Sequence, residues 1–308
     1  MGINLNNLIY PYFVVTGKKI KEEIRSFPGI YYFSVDRLLK DIKETDSFGL
    51  KRILLFGVPE YKDDSGSAAY KEDNIVSIAV KKIKTEFPRL SVITDACLCA
   101  YTNHGHCGIL KKGKKQIDNK KTLQALSKIA LSHALSGADW VAPSAMAAGQ
   151  VLVIRRALNE NGFKKTKILG YSAKFNSNFY GPFRNAALSS PAFGDRSAYQ
   201  LDYSVTAKAL KKIKEDVVSG ADMVMVKPAL GYLDIIKAAK HKFNYPLAAY
   251  NVSGEYALVK FGVTQKIFEE KKIVREIITS ITRAGADYII TYHAKDIARW
   301  IKKENYII

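Results

Sequence analysis

Cysteine is scarce in this sequence, with three residues in a chain of 308, and the odd number of thiols argues against a disulfide framework. No apolar run approaches the ~20 residues needed to span a bilayer. The N-terminus lacks the basic start, apolar stretch and small-residue cleavage site of a signal peptide. Pro/Ser-rich linkers and internal repeats are missing as well. We therefore expect a single domain in the cytoplasm, with no membrane partner.

Arginine is scarce too, because the 48 basic residues comprise 37 Lys and 11 Arg, for a formal net charge of +19. The densest basic run, residues 111–121, has no aromatic interleaving and matches no nucleic-acid-binding motif. The lysines are spread along the chain, which is typical of a solvated surface. We therefore predict no nucleic-acid partner, while the positive balance favours attraction of anionic substrates.

Short apolar, β-branched segments alternate with amphipathic segments in which apolar residues recur every three to four positions. No glycine-rich phosphate-binding fingerprint follows the first strand, which disfavours a doubly wound sheet. The alternation predicts an α/β protein with a (β/α)8 TIM barrel over residues 8–308, after a short N-terminal arm, residues 1–7. A ninth apolar segment, residues 30–35, is interpreted as an excursion from the barrel. The eight predicted strands are residues 8–15, 52–58, 91–96, 139–144, 167–172, 222–227, 246–253 and 287–293, and the predicted helices include residues 74–87, 122–137, 204–220 and 272–285.

Two lysines follow neighbouring strands of the predicted barrel, at the carboxyl ends where such barrels place their chemistry. Lys174 comes just after the fifth strand and Lys227 ends the sixth, and adjacent strands lie about 4.8 Å apart. Each lysine alone could be a surface residue, but two at successive strand ends favour a shared site. Apolar surroundings and repulsion between like charges both lower the pKa of a lysine. The pair is therefore predicted to supply an amine that forms a Schiff base with a ketone.

All three cysteines fall in one loop after the third predicted strand, with the spacing C-x-C-x7-C at Cys97, Cys99 and Cys107. Three thiolates match the ligand count of a zinc site that keeps one position open for substrate. His104 or His106 could supply a fourth ligand and close the site. They could equally bond to the metal ligands or be ordinary loop histidines, and for His104 we favour an ordinary loop histidine. Three small buried thiols without a metal are the alternative.

Four longer stretches resemble one enzyme family, porphobilinogen synthase, also called 5-aminolevulinate dehydratase, and they occur in the family's order. The resemblance covers nearly the whole chain from residue 8 onward. It implies a barrel enzyme that condenses two molecules of 5-aminolevulinate into porphobilinogen with loss of two waters, the step that commits this precursor to haem and other tetrapyrroles. The four stretches are TDACLCAYTNHGHCGIL, YSAKFNSNFYGPFRNAALSSPAFGDRSAYQLD, GADMVMVKPALGYLDI and YNVSGEYAL.

The resemblance implies roles for the reactive residues. Lys227 resembles the Schiff-base lysine for the substrate that becomes the propionate side of the product, and Lys174 the one for the acetate side. Asp95 resembles an acid/base or positioning carboxylate. The cysteine trio is similar to that of the family's zinc-dependent branch, whereas other members carry Asp-rich ligands instead.

The remaining matches concern the substrate carboxylates and a lid. Ser253 and Tyr292 resemble the family's hydroxyl donors to the first carboxylate, and Ser253 precedes a predicted helix whose free N–H groups favour an anion. Residues 175–202 are rich in Asn, Ser, Gly and Pro, and are predicted to form a lid that excludes water during condensation. The resemblance implies that the lid grips the second carboxylate with Arg184, Arg196 and Gln200, and we expect Phe179 and Tyr180 to pack inside when it closes.

Two features depart from the family's usual pattern. Members usually carry a longer, arginine-containing arm that wraps a neighbouring barrel and supports an octamer, whereas about seven residues precede the first predicted strand here. We therefore predict a homo-oligomer in which a dimer or hexamer is more plausible than is usual for the family. Ala148 is found where the family usually has Asp. With the short arm, this leaves open the alternative that the protein is a catalytically weakened homologue. Many bacterial members also bind an activating, allosteric Mg²⁺ between subunits, whose ligands we do not identify in this sequence.

Two further interpretations stay open on the sequence. A class I aldolase-like lyase would use one Schiff-base lysine, which explains Lys227 but neither Lys174 nor the cysteine trio. A metal-storage or nucleic-acid-binding barrel would explain the thiols or the charge, but neither lysine. The hypothesis of an enzyme that condenses two molecules of 5-aminolevulinate accounts for both lysines and the cysteine trio together.

Overall fold

The computed structural model describes residues 3–304, so Met1, Gly2 and residues 305–308 of the predicted arm and barrel lie outside the described chain. Leu5–Asn7 form one turn of 3-10 helix that leads directly into the first strand. The strands are β1 (Leu8–Val15), β2 (Lys21–Glu23), β3 (Tyr31–Phe33), β4 (Arg52–Val58), β5 (Ser91–Ala96), β6 (Trp140–Pro143), β7 (Lys167–Lys174), β8 (Met223–Lys227), β9 (Leu247–Asn251) and β10 (Tyr288–Thr291).

Eight of these strands form a closed parallel barrel, which confirms the predicted (β/α)8 architecture. They follow one another in chain order from β1 through β4 to β10, and β10 pairs with β1 to close the ring. β2 and β3 form the excursion expected from residues 30–35. β3 pairs in parallel with the end of β1 and antiparallel with β2, so this hairpin extends the wall beyond the point where β10 leaves β1.

The helices lie between the strands and cover the outside of the barrel, except for the short helix Gly181–Ala186, which lies over the Lys227 side chain. They are α1 (Val35–Ser47), α2 (Ile75–Glu86), α3 (Asn119–Leu135), α4 (Gln150–Glu160), α5 (Gly181–Ala186), α6 (Thr206–Val218), α7 (Leu233–Phe243), α8 (Ser253–Thr264), α9 (Glu270–Ala284) and α10 (Ala294–Glu304). Local sequence sets their ends: the Asn74 side chain accepts the Ser77 N–H to start α2, and Gly285, at φ +117°, ends α9. Within residues 3–304, none of the helices has both the length and the apolar character that crossing a bilayer requires.

The barrel strands are buried on both faces, as parallel strands under a layer of helices must be. In β4, six of the seven residues are buried. Each fully buried Leu, Ile or Val contributes about 1.5–3 kcal/mol relative to an exposed position. The core is therefore continuous through the barrel, and the polar side chains at its carboxyl end lie on a rigid base.

A short repeat at the opposite end of the barrel ties strands to helices. The tripeptide Gly-Ala-Asp occurs before β6, β8 and β10. In each copy, the Asp accepts the N–H of a residue in the preceding barrel strand, at 2.7–2.8 Å, and pairs with a cation from a helix. The three pairs are Asp139 with Lys84, Asp222 with Arg155, and Asp287 with Lys240.

The predicted strand bounds are right for β1, β4 and β5, and less accurate later in the chain. β7 runs two residues further than predicted, to Lys174. The strand predicted over residues 246–253 is too long, since β9 ends at Asn251 and Ser253 begins α8. The reason is local: the Glu255 carboxylate accepts the Val252 N–H at 2.6 Å and turns the chain into the helix.

Candidate active site

Lys174 and Lys227 are neighbours across two adjacent strands. They are register partners in the parallel pair of β7 and β8, and their side chains are 5% and 4% exposed. The predicted adjacency of the two lysines is therefore confirmed, and neither is a surface residue.

A β-bulge in β7 brings Lys174 over the same ring as Lys227. The register between β7 and β8 shifts between Gly170 and Ala173, which breaks the simple alternation of side chains. Tyr171 and Lys174 would otherwise point to opposite faces, but the Lys174 Nζ atom lies 5.7 Å from the centroid of the Tyr171 ring. The same Nζ atom donates a hydrogen bond to the Ser144 carbonyl oxygen at 2.6 Å, which orients the amine.

The amine of Lys227 has a lowered pKa and is surrounded by aromatic rings. Burial, followed by the positive charge of Lys174, lowers the pKa of Lys227 to about 7, although the Asp95 carboxylate acts in the opposite direction. An amine with this pKa is about half neutral at pH 7, which is the form that attacks a carbonyl carbon. The Nζ atom lies 4.2 Å from the ring centroid of Tyr250, 5.1 Å from that of Tyr171, and 5.2 Å from those of Tyr180 and Phe183.

Asp95, near the end of β5, faces this pair with an incompletely satisfied carboxyl group. Its Oδ1 atom is shielded from solvent and has no hydrogen-bond partner among the described residues. Burial raises the pKa of Asp95 to about 6, against the opposing effects of the Ser144 hydroxyl and of the two lysine charges. The carboxyl group can therefore take up and release a proton near neutral pH.

The three cysteines converge on one buried point. Their Sγ atoms all lie within 4.8 Å of one another, and those of Cys97 and Cys99 are 3.5 Å apart. Hydrogen bonds from Cys97 and Cys99 lower the pKa of Cys107 well below its usual value, so negative charge concentrates on that sulfur. Clustered sulfur donors suit a soft or borderline cation, so these residues fit a zinc ion.

The two histidines of this loop contact other groups. Neither belongs to the cysteine cluster in the described part of the chain. The His106 ring nitrogens lie 3.1 Å from the Tyr199 hydroxyl and 3.0 Å from the Phe193 carbonyl oxygen, both in residues 175–202. His104 Nδ1 accepts the backbone N–H of His106. The geometry favours a structural role for His106, which holds the predicted lid against the cysteine loop.

Residues 175–202 cover the Lys227 amine with the rings of Tyr180 and Phe183, and they carry several buried polar atoms that have no hydrogen-bond partner among the described residues. Arg196 and Gln200 are only 2% and 5% exposed. Arg196 donates to the carbonyl oxygens of Gly105 and Ser189. Burial acts to lower its pKa, but the nearby cysteine sulfurs, Cys107 foremost, raise it overall. In the part of the chain that is described, its Nε atom, the Arg184 Nε atom and both amide atoms of Gln200 have no partner. The three nitrogen atoms in this group are free donors of the kind that a carboxylate needs, whereas the Gln200 Oε1 atom is an acceptor.

Ser253 and Tyr292 are both fully buried, and each bonds to a residue whose ring contacts Lys227. The Ser253 hydroxyl accepts the Phe183 N–H and donates to the Phe179 carbonyl oxygen, each at 3.1 Å. The Tyr292 hydroxyl accepts from the Tyr250 hydroxyl at 3.0 Å. These two hydroxyls therefore connect the barrel rim to the closed lid and to a ring that contacts Lys227.

The lid packs inward with one of the two predicted rings. Tyr180 is buried and its hydroxyl donates to the Lys227 carbonyl oxygen at 2.9 Å, as expected of an inward-facing residue. The prediction that Phe179 packs inside is wrong, because its ring is 37% exposed. A Cβ atom at Gly254 would lie 2.6 Å from the Phe179 carbonyl oxygen, so it is the backbone of Phe179 that faces the barrel.

Phe183 takes the inward position, and the sequence analysis did not identify it. Its ring packs against Phe56 at 4.9 Å and Phe13 at 5.7 Å between centroids. Tyr171 and Tyr250 were missed as well, since an aromatic residue inside a strand is usually part of the core. Each lies three residues before a predicted site residue, Tyr171 before Lys174 and Tyr250 before Ser253, and this spacing is the signal that could have found them.

A cavity of about 710 Å³ opens beside Cys107, between the lid, residues 110–117 and the loop after β6. Ala148 lies on its rim and is exposed, and its carbonyl oxygen accepts a hydrogen bond from Asn119 at 3.1 Å. The cavity provides a route from the surface toward the thiols.

A second group of potential metal ligands lies outside this site. Atoms of Glu270, His293 and Asp296 are within 4.8 Å of one another. The Lys260 ammonium forms ion pairs with both carboxylates, so their charge is already compensated.

Comparisons with known proteins identify the family of this chain. The family model described as delta-aminolevulinic acid dehydratase matches residues 1–300. A delta-aminolevulinic acid dehydratase of Methanothermus sociabilis is 52% identical and one of Synechocystis is 49% identical, each match covering 97% of this chain and 92% of the relative. A crystal structure of the Toxoplasma gondii enzyme, in complex with the reaction product porphobilinogen, is 38% identical with a TM-score of 0.95, over 97% of this chain and 85% of that one. This chain belongs to the delta-aminolevulinic acid dehydratase family.

Proposed function

We propose that this protein is a porphobilinogen synthase, a hydro-lyase that condenses two molecules of 5-aminolevulinate into porphobilinogen with loss of two waters. The observation that carries the proposal is the pair of buried lysines, Lys174 and Lys227, which are register partners and lie over one tyrosine ring. Two ketones must be captured, and two neighbouring amines supply a nucleophile for each. An aldolase-like lyase would leave Lys174 and the cysteine cluster without a role.

Lys227 is proposed to capture the substrate that becomes the propionate side of the product. Its neutral amine attacks the ketone carbon, a C–N bond forms, and the ketone oxygen leaves as water after protonation. At pH 7 about half of an amine with a pKa of about 7 is neutral, against about one in 3,000 for an ordinary lysine. Ser253 and Tyr292 are proposed to bind the carboxylate of this substrate by hydrogen bonds.

Lys174 is proposed to capture the substrate that becomes the acetate side. Its amine is oriented by the Ser144 carbonyl oxygen and can turn toward a ketone bound beneath the lid. Arg184, Arg196 and Gln200 are proposed to hold the second carboxylate, because their partnerless atoms provide the required donors.

Asp95 is proposed to move protons between the two substrates. Its carboxyl group has a pKa of about 6 and interacts electrostatically with both lysine amines. Its Oδ1 atom has no hydrogen-bond partner among the described residues. A group that is near half-protonation at working pH can both donate and accept.

Cys97, Cys99 and Cys107 are proposed to hold Zn²⁺. When bound, the metal supplies a Lewis acid next to the second substrate. We also propose that the protein forms a homo-oligomer, that Mg²⁺ activates it and that it is located in the cytoplasm.

The direct test is a colour assay for porphobilinogen with 5-aminolevulinate as substrate, with and without added zinc. Wild-type protein should form the pyrrole, and Lys227→Met should form none. Lys128→Met, at an exposed lysine of α3, is the matched control and should retain activity. No pyrrole from the zinc-supplemented wild type would overturn the proposal.

A further inference from the structure

Glu255, which has no role in the proposed chemistry, joins the ends of three barrel strands. It lies in the first turn of α8 and is 2% exposed. Its Oε1 atom accepts the Leu230 N–H at 2.6 Å. Its Oε2 atom accepts the Val252 N–H at 2.6 Å and a side-chain N–H of Asn251 at 3.2 Å. One carboxylate therefore binds segments that follow β8 and β9.

The network continues to the third strand. The Asn251 Oδ1 atom accepts a hydrogen bond from the Thr291 hydroxyl at 2.9 Å, and both side chains are fully buried. Thr291 is the last residue of β10 and immediately precedes Tyr292. Leu230 lies three residues after Lys227, and Val252 immediately precedes Ser253. Each branch of the network thus ends beside a residue of the Lys227 half of the site.

These contacts lie where the backbone ladder stops. The last register pair between β8 and β9 is Val226 with Ala249, so no ladder hydrogen bond ties Lys227 to Ser253. Beyond that pair, the two chain segments are joined through Glu255. A buried, fully bonded carboxylate is rigid, because each of its bonds would be costly to break in a low dielectric.

We propose that Glu255 is a positioning residue that sets the spacing between the Lys227 amine and the Ser253–Tyr292 hydroxyls, and so selects the length of the keto acid that is captured. The inference rests on the proposed function, in which one substrate presents its ketone to the amine and its carboxylate to the hydroxyls. A substrate with one extra methylene between these two groups would not fit both ends of a rigid site.

The test compares two keto acids that differ in this spacing. 4-Oxopentanoate has the spacing of 5-aminolevulinate, and 5-oxohexanoate is longer by one methylene. Each is incubated with the full-length protein, the imine is reduced with borohydride, and the label on the Lys227 peptide is measured by mass spectrometry over time. One methylene is typically worth about tenfold or more in discrimination. Wild-type protein should therefore label about tenfold faster with 4-oxopentanoate.

Glu255→Gln keeps the shape of the side chain but turns one acceptor into a donor that faces an N–H. This variant should lose most of the discrimination, with a ratio near one. Thr291→Val removes the hydroxyl that donates to Asn251 and also accepts the His293 N–H, both beside Tyr292, and should lower the ratio by about threefold. Glu276→Gln, at an exposed position of α9, is the matched control and should keep the wild-type ratio.

A general loss of packing would slow both keto acids equally, so an unchanged ratio in folded Glu255→Gln protein would overturn the inference. If that variant does not fold, Thr291→Val decides, and a wild-type ratio there overturns it as well. Wild-type protein that traps neither keto acid would overturn the proposed function and this inference together, whereas trapping with an unchanged ratio in the variants removes this inference alone.

Discussion

The amines of Lys174 and Lys227 lie over the same aromatic ring, at 5.7 and 5.1 Å from the centroid of Tyr171. Two buried ammonium groups this close repel each other, so the charge of Lys174 favours the neutral form of Lys227. The low pKa of Lys227 follows from this arrangement together with burial. The arrangement therefore places an amine that is partly neutral near pH 7, that of Lys227, beside a second lysine.

The pH dependence of imine formation at Lys227 follows from its pKa of about 7. The neutral fraction is about one tenth at pH 6, one half at pH 7 and nine tenths at pH 8. Borohydride trapping of 4-oxopentanoate on Lys227 should therefore accelerate about ninefold between pH 6 and pH 8 and then level off. A rate that keeps rising to pH 10 would show an ordinary lysine.

Two substitutions should move this inflection in opposite directions. The Lys174 charge lowers the pKa of Lys227 and the Asp95 charge raises it. Lys174→Met should therefore shift the trapping inflection to higher pH, and Asp95→Asn should shift it to lower pH. Both shifts are read from the same pH series, and shifts of the same sign in the two variants would contradict the charge assignment.

Phe183, the inward ring of the lid, should affect the pKa of the Lys227 amine, whereas Phe179, the outward ring, should not. Phe183→Ala opens the shell of rings around the Lys227 Nζ atom and admits water, so the trapping inflection should move up toward the value of a solvated lysine and porphobilinogen formation should fall by at least tenfold. Phe179→Ala removes an exposed ring and should stay within twofold of wild type. Equal losses in both variants would mean that the lid acts only as a whole.

The thiol cluster offers an unusually clean titration, because the chain has no cysteine outside it. We expect about one zinc per chain by atomic emission, and three thiols that react with a chromogenic reagent only after a chelator removes the metal. Cys107→Ala should lose the zinc. Three thiols that react freely before chelation would contradict a metal role for these residues.

Much of this arrangement could be predicted from the sequence because it depends on short-range patterns. The alternation of strands and helices predicts the barrel, and a barrel places strand ends such as Lys174 and Lys227 at one rim. The spacing of the three cysteines within eleven residues likewise limits how far apart they can lie.

The rest depends on tertiary contacts that have no local signature. The β-bulge before Lys174 changes which residues share its face, and strict alternation would have separated it from Tyr171. Phe179 and Phe183 are equally apolar, so the sequence does not show which one turns inward. The role of Glu255 is visible only when the ends of three strands are brought together.

The most direct test of the account is the site of covalent labelling by 5-aminolevulinate itself. Wild-type protein is incubated with this substrate, reduced with borohydride, digested and analysed by mass spectrometry. We predict a reduced adduct on Lys227 at low substrate concentration, and on Lys174 as well when the concentration is raised. Adducts on neither lysine, in protein that folds and contains its zinc, would contradict the claim that these two amines capture the two substrates.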